Sequence, residues 1–307
     1  KKTVPISGVD PLSFFGTNDC NIKLLEENFS GKLTARGTKI HLEGEPANVE
    51  RMESVIAEML VTINQKGFVD AEDVKALLNF SEAENGTVQR NGEELPVILY
   101  THKGAVVART NGQKKYFEAV KENDIVFAIG PAGTGKTYQA VASAVSALKD
   151  GLVSKIVITR PAVEAGERLG FLPGDLKEKV DPYLTPLYDA LGDMLTPEKR
   201  RTYIDQRIIE IAPLAYMRGR TLHNSFMILD EAQNATNTQM KMFLTRLGVT
   251  SRAIITGDIT QIDLPQNECS GLIDARNKLK SIKGIKFVEF DSSDVVRHKL
   301  VRQIIEA

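Results

Sequence analysis

Apolar and polar positions along this 307-residue chain change their rhythm near residue 100. Beyond it, short apolar runs alternate with segments of helical periodicity, the pattern of a doubly wound α/β sheet covered by helices. The candidate strands are Ile125–Ile129, Lys155–Thr159, Ile208–Ile211, Phe226–Leu229, Ala253–Thr256 and Lys286–Phe290. An Ala-rich helical pattern runs from Tyr138 to Lys149 and stops at Asp150-Gly151. Residues 175–202 interrupt the alternation with polar helical sequence, a length that in nucleotide enzymes carries substrate contacts or a lid. Before residue 80 the pattern is that of a small α+β unit. An apolar segment around Leu12–Gly16 opens a β-α-β-β-α order. A helical stretch with Ile22, Leu24 and Leu25 follows, then alternating runs at 32–35 and 38–42 around the turn signal Arg36-Gly37. An amphipathic helix then passes through Val49, Met52, Val55, Ile56, Met59 and Leu60, and a second helical patch spans Asp70–Leu78. Ser81–Glu94 is rich in Glu, Asn and Gly without periodicity and reads as a linker. The expected division is residues 1–80, a linker over 81–100, and an α/β domain over 101–307.

Composition narrows the class. At 42% hydrophobic residues the chain can bury a core, and no apolar run approaches the length of a membrane span. The first residues carry no leader pattern, although a start at Lys1 rather than Met points to a short missing N-terminal piece. Cys20 and Cys269 are far apart, without ligand spacing, and are expected to be buried small hydrophobes in a reducing cytoplasm. The four histidines lack metal-ligand spacing, so no metal beyond nucleotide-bound Mg²⁺ is signalled. Net charge is −1 overall, but residues 1–100 carry 10 Lys/Arg against 16 Asp/Glu, and residues 101–307 carry 29 against 24. A polyanion would therefore meet the second part.

The segment Gly130-Pro131-Ala132-Gly133-Thr134-Gly135-Lys136-Thr137 fits G-x-x-x-x-G-K-[ST] at every fixed position, between a predicted strand and a predicted helix. Its glycines let backbone N–H groups converge on a polyphosphate at a helix N-terminus, where the dipole favours negative charge. Lys136 would meet the β- and γ-phosphates of ATP, and the Thr137 hydroxyl would bind Mg²⁺. A second apolar strand ends in Asp230-Glu231 and delivers two carboxylates to the carboxyl edge of the sheet. Asp230 would hold Mg²⁺, and Glu231 would polarise an attacking water as general base; the alternative is an acidic helix cap. A third strand leads into Gly257-Asp258-Ile259-Thr260-Gln261, where the Gln261 amide can contact both γ-phosphate and water. Upstream, the Gln113 amide can match the adenine edge, unless it is merely solvated.

Together these motifs resemble the PhoH family. Further matches are Thr159-Arg160-Pro161-Ala162-Val163-Glu164-Ala165-Gly166-Glu167, Gly170-Phe171-Leu172-Pro173-Gly174-Asp175, Met217-Arg218-Gly219-Arg220-Thr221, and Asp294-Val295-Val296-Arg297-His298. The resemblance is strong over about 101–307 and looser before residue 80, where the element order resembles a KH-like module without its G-x-x-G clamp. It implies a RecA-like core, similar to one half of a superfamily 1 helicase, in a cytoplasmic ATPase tied to RNA metabolism and phosphate starvation. Some relatives carry a PIN ribonuclease domain, whose spread of acidic positions within an α/β unit of adequate length residues 1–100 lack, and others work beside a YbeY-type endoribonuclease. Arg160, Arg218 and Arg220 are candidate contacts to nucleic acid; Glu164 and Glu167 are candidate salt-bridge or capping partners. Superfamily 1 helicases complete the site with an arginine from a second core. Here the resemblance implies one given in trans, by Arg297 ahead of Arg302 or Arg220, in a homo-oligomeric ring, most simply a hexamer.

The leading expectation is thus a Mg²⁺-dependent ATPase coupled to single-stranded RNA or ssDNA binding. A kinase would share the loop but has no need of a water-activating Glu231 with Gln261. A non-hydrolysing nucleotide switch that docks a partner, such as an endoribonuclease, is the other alternative.

Overall fold

A computed structural model describes residues 1–6, 9–81, 87–90, 93–101, 103–161, 176–265 and 267–296, with main chain alone for 64–66, 80, 87–90, 93 and 176–183. Two compact units emerge, Lys1–Val107 and Ala108–Ala307.

The first unit begins with β1 (Lys2–Pro5), α1 (Pro11–Phe15), α2 (Cys20–Glu27), β2 (Gly31–Arg36), β3 (Lys39–Gly44), α3 (Pro46–Lys66) and α4 (Ala71–Ser81). Its strands form an antiparallel sheet in the order β1-β3-β2. The apolar stretch expected to open the unit as a strand is the helix α1 instead. The Asp10 carboxylate accepts from Ser13 N, and Pro11 sits in the first turn where its missing N–H costs nothing. Val49, Met52, Val55, Ile56 and Met59 on α3 pack on Phe14, Leu25, Ile40 and Leu42. Buried Asn21 donates to Phe14 O and Val69 O at 3.0 and 2.9 Å, fixing α1 against the start of α4.

Much of the stretch expected to be a linker is sheet. β4 (Thr87–Arg90), β5 (Glu93–Thr101) and β6 (Gly104–Val107) form a second antiparallel sheet, with Leu95, Val97 and Val107 clustered on it. The polar composition of 81–94 hid β4, whose partner lies only a few residues further on.

The second unit comprises α5 (Asn111–Glu122), β7 (Ile125–Ile129), α6 (Lys136–Lys149), β8 (Lys155–Arg160), α7 (Leu176–Met194), α8 (Pro197–Asp205), β9 (Ile209–Pro213), β10 (Ser225–Leu229), α9 (Asn237–Leu244), β11 (Arg252–Gly257), α10 (Gly271–Leu279) and β12 (Ile285–Glu289). All six strands are parallel, in the order β12-β7-β11-β10-β8-β9. This is the doubly wound α/β sheet expected, and each predicted strand is present with its ends moved by at most two residues. Every residue of β10 is buried, as a strand covered on both faces requires. α6 lies against the sheet through Ala140, Val141, Ala142, Ala144 and Val145, whose small side chains permit close approach. β11 runs between β7 and β10, so three strand ends converge at one carboxyl edge.

Both cysteines are free. Cys20, the first residue of α2, is partly exposed and Cys269, in the loop before α10, is exposed, against the expectation of burial. Among the described residues no helix is long and apolar enough to cross a membrane.

Candidate active site

β7 ends at Ile129 and the chain curls through Gly130–Gly135 into α6. Gly130 has φ +155°, and a Cβ there would lie 2.5 Å from Phe290 O, so only glycine lets the loop pass β12. Gly135, at φ +83°, is the N-cap of α6, and a Cβ there would crowd the Gln113 amide at 3.1 Å. Neighbouring segments brace the loop. Gly130 N donates to Gly257 O at 3.1 Å, and Val296 N donates to Gly133 O at 3.0 Å. Thr134 Oγ1 donates to Pro131 O at 3.1 Å. The Lys136 ammonium donates to Gly130 O and Pro131 O at 2.7 and 2.8 Å. Burial lowers the Lys136 pKa, and the carboxylates of Asp258, Glu231 and Asp230 oppose that shift.

The acidic strand meets the loop through one atom. Asp230 Oδ1 accepts from Thr137 Oγ1 and from Thr256 Oγ1, both at 2.6 Å, and Asp230 is 3% exposed. Thr256 reaches it because β11 lies beside β10. Glu231 follows in the left-handed region, φ +51° and ψ +40°, which turns its side chain away from the strand direction. Its Oε2 accepts from Gln233 Nε2 at 2.6 Å, while Gln233 Oε1 accepts from Asp258 N at 3.0 Å. Gln233 therefore ties the end of β10 to the end of β11. Asp258 Oδ1 accepts from Thr260 N and Oγ1, but the buried Oδ2 has no hydrogen-bond partner among the described residues.

These groups line one cleft of about 510 Å³. Gly133, Lys136 and Thr137 stand on the loop side, with Asp230, Glu231, Asp258 and Gln261 on the strand ends, and Tyr138 and Arg160 beside them. Pro186, Asp189, Ala190 and Asp193 of α7 complete the wall, so part of the expected substrate-contact insertion does face the site.

The sequence-predicted residues divide in three. Gly133, Gly135, Lys136, Thr137, Asp230, Glu231 and Gln261 share the cleft. Gln113, expected at the adenine edge, sits on α5 with its amide bound to main chain: Nε2 donates to Thr134 O at 2.9 Å, and Oε1 accepts from Arg109 N at 2.8 Å. As it stands it braces the phosphate loop rather than facing an open pocket. Arg160, expected on nucleic acid, turns into the cleft, 3.9 Å from Asp230 and 3.8 Å from Glu231. Arg220, expected with it, forms a two-point ion pair with Glu210 at 2.6 and 2.8 Å, to which Lys155 adds a contact at 2.7 Å. The Arg220 hydrogen bonds, first among several causes, pull the Glu210 pKa down from its ordinary 4.5 to about 2. Arg218 alone of these is exposed, in the turn after β9. Glu164, Glu167, Arg297 and Arg302 lie outside the described residues. The residues missed from sequence are Thr256, Gln233 and Asp258. Asp258 lies in the Gly257–Gln261 segment, Thr256 ends a predicted strand and Gln233 follows Asp230-Glu231, yet only their contacts reveal what they hold.

The donor set fits a hard divalent ion such as Mg²⁺. Thr137 Oγ1 and Asp230 Oδ1 are both oxygen donors and stand 2.6 Å apart at the mouth of a glycine-lined loop. No cluster of three or more His, Cys, Asp or Glu side chains suited to a metal occurs among the described residues, so such an ion would rely on nucleotide and water for its remaining ligands.

The PhoH-like protein family profile matches residues 105–307. A PhoH-like protein of Bacillus subtilis (strain 168) is 49% identical over 298 residues, covering 97% of this chain and 93% of that protein. Protein PhoH of Escherichia coli (strain K12) is 46% identical over 240 residues, covering 78% of this chain and 66% of that one. Among solved structures, the Pif1 helicase from Candida albicans aligns with a TM-score of 0.36 at 12% identity, over 66% of this chain and 43% of that one. With the matched profile covering most of its length and near half-identity to the Bacillus protein along almost the whole of it, this chain belongs to the PhoH-like protein family.

Proposed function

We propose that the chain is a Mg²⁺-dependent ATPase that couples hydrolysis to binding or remodelling of single-stranded RNA or ssDNA. The observation that carries this reading is the Thr137–Asp230 hydrogen bond. It joins the phosphate loop to the acidic strand, with Glu231 and Gln261 lining the same cleft.

The residues divide the work by position. The N–H groups of Ala132–Thr137 bind the phosphates at the α6 N-terminus. Lys136 exchanges its loop carbonyls for phosphate oxygens. Glu231, oriented by Gln233, takes the proton from the attacking water. Gln261, in the loop after β11, holds that water and reports the γ-phosphate to the rest of the chain. Mg²⁺, bound through Thr137 and Asp230, would neutralise phosphate charge. A kinase would share the loop but has no need of a water-activating Glu231 with Gln261, so this pair favours water as acceptor.

Nucleic acid would be met by the second unit, which carries the basic surplus and the exposed Arg218. The first unit, acidic and without a G-x-x-G clamp, serves better as a docking or oligomerisation module, for instance towards a YbeY-type endoribonuclease. A ring, most simply a hexamer, with Arg297 given in trans belongs to the same reading, as does a cytoplasmic role in RNA processing or phosphate starvation. Mixing Arg297→Ala with Lys136→Ala chains would restore activity if that arginine crosses an interface.

The deciding experiment measures phosphate release from ATP with and without single-stranded RNA. Turnover is expected, raised by RNA. Glu231→Gln should keep ATP binding while hydrolysis falls about 10²–10⁴-fold, and Lys136→Ala should lose binding. ATP binding without turnover in the native chain, with or without RNA, would establish the nucleotide-switch alternative instead.

A further inference from the structure

We propose that Arg160 is a catalytic residue, whose guanidinium contacts the γ-phosphate in cis and neutralises the charge that builds there as the phosphoryl group departs. The assignment rests on the ATPase reading above.

Placement comes from sheet register. β8 pairs in parallel with β10, and Thr159 stands opposite Leu229, so the next residues, Arg160 and Asp230, are neighbours at the carboxyl edge. The side chain is 23% exposed and points along that edge. Nη1 lies 3.9 Å from Asp230 Oδ2, and Nη2 lies 3.8 Å from Glu231 Oε1. Both carboxylates thus draw the guanidinium towards the cleft by charge.

Charge in the cleft argues the same way. Its described lining has Lys136 and Arg160 as cations against Asp189, Asp193, Asp230, Glu231 and Asp258. A triphosphate adds negative charge to a wall already acidic. Lys136 belongs to the loop, whereas Arg160 comes from a different strand beside the general base. A contact with a nucleic-acid phosphate outside the cleft would require the guanidinium to leave both carboxylates.

The step balances without an added reactant. The water oxygen forms a bond to the γ-phosphorus as its proton passes to Glu231. The bond from that phosphorus to the bridging oxygen breaks, and its electron pair leaves on ADP. Charge rises on the transferred group and the bridging oxygen, where a fixed guanidinium acts most strongly. Such arginines contribute about 10³–10⁵-fold in turnover.

Arg160→Ala and Arg160→Lys in the full chain test this. The Ala variant is expected to bind a fluorescent ATP analogue within a few-fold of native, to lose turnover by about 10³-fold or more, and to fail to trap ADP with aluminium fluoride. Lys should recover only part of the turnover, since it lacks the planar fork. Affinity for a single-stranded RNA oligomer without nucleotide should be unchanged, and mixing Arg160→Ala with Lys136→Ala chains should give no rescue. Native-like turnover in Arg160→Ala, or rescue on mixing, overturns the assignment. RNA affinity lost together with intact aluminium fluoride trapping returns the residue to a nucleic-acid contact. If the native chain binds ATP but releases no phosphate, the ATPase reading itself fails, an outcome separable from native turnover that is indifferent to Arg160.

Discussion

Thr256 on β11 donates to Asp230 Oδ1 at 2.6 Å, the oxygen that Thr137 of the phosphate loop also reaches. One buried carboxylate oxygen is thus shared by two strand ends and the loop. Under the ATPase reading, nucleotide arriving at Thr137 would pull on the same atom that β11 holds and so couple its phosphates to the segment bearing Asp258 and Gln261.

Thr256→Val keeps the shape of the side chain and removes this donor. A hydrogen bond to a charged group contributes about 1.5–3 kcal/mol. The expected outcome is a lower melting temperature and a higher Mg²⁺ concentration for half-maximal phosphate release. Melting curves and Mg²⁺ titrations check it. An unchanged Mg²⁺ requirement would show that Thr256 supports only the fold.

Gln233 is expected to act through Glu231. It donates to the Glu231 carboxylate at 2.6 Å and accepts from Asp258 N at 3.0 Å, holding a residue whose backbone is already in the left-handed region. Gln233→Leu should lower kcat about 10–100-fold, part of what a whole general base contributes, with nucleotide affinity nearly unchanged. Equal losses in kcat and affinity would mean that the amide shapes the pocket rather than the base.

How far the sequence carries depends on what kind of signal an element leaves. The strands of the parallel sheet were legible because burial on both faces makes β7 and β10 almost wholly apolar. The phosphate loop and Asp230-Glu231 were legible because close backbone approach and paired carboxylates restrict residue type. Elsewhere the cause lay in three dimensions. Pro11 after Asp10 makes a helix of an apolar stretch that reads as strand. β4 hides in polar sequence, since its pairing is with β5 and owes nothing to its own composition. An arginine carries no mark of which way it turns: Arg160 at the end of β8 faces carboxylates across the sheet edge, and Arg220 in a loop meets Glu210 ten residues away.

The Glu210–Arg220 pair makes a prediction about acid. With its folded pKa depressed to about 2, Glu210 contributes stability that is fully present above its ordinary 4.5 and is lost as pH falls through the folded value. Both side chains are about one-quarter exposed, so solvent screening leaves an effect of about 1–2 kcal/mol. Arg220→Ala should therefore lower the melting temperature at pH 7 and unfold at a higher pH than native. At pH values below both pKa values the two proteins should converge. A constant difference in melting temperature down to pH 2 would place the effect in packing instead.

Arg218 and Arg220 flank one glycine, yet they should fail in different ways. Arg218 is exposed in the turn after β9, and Arg220 is held by Glu210. If single-stranded RNA crosses that turn, Arg218→Ala removes one phosphate contact. For a single strand, the slope of log affinity against log salt should then fall by about 0.7, with affinity reduced alike for all sequences and melting unchanged. Arg220→Ala should lower stability while leaving the salt slope as it is. Fluorescence anisotropy over a salt series separates the two, and a native slope in Arg218→Ala would move the RNA path away from this turn.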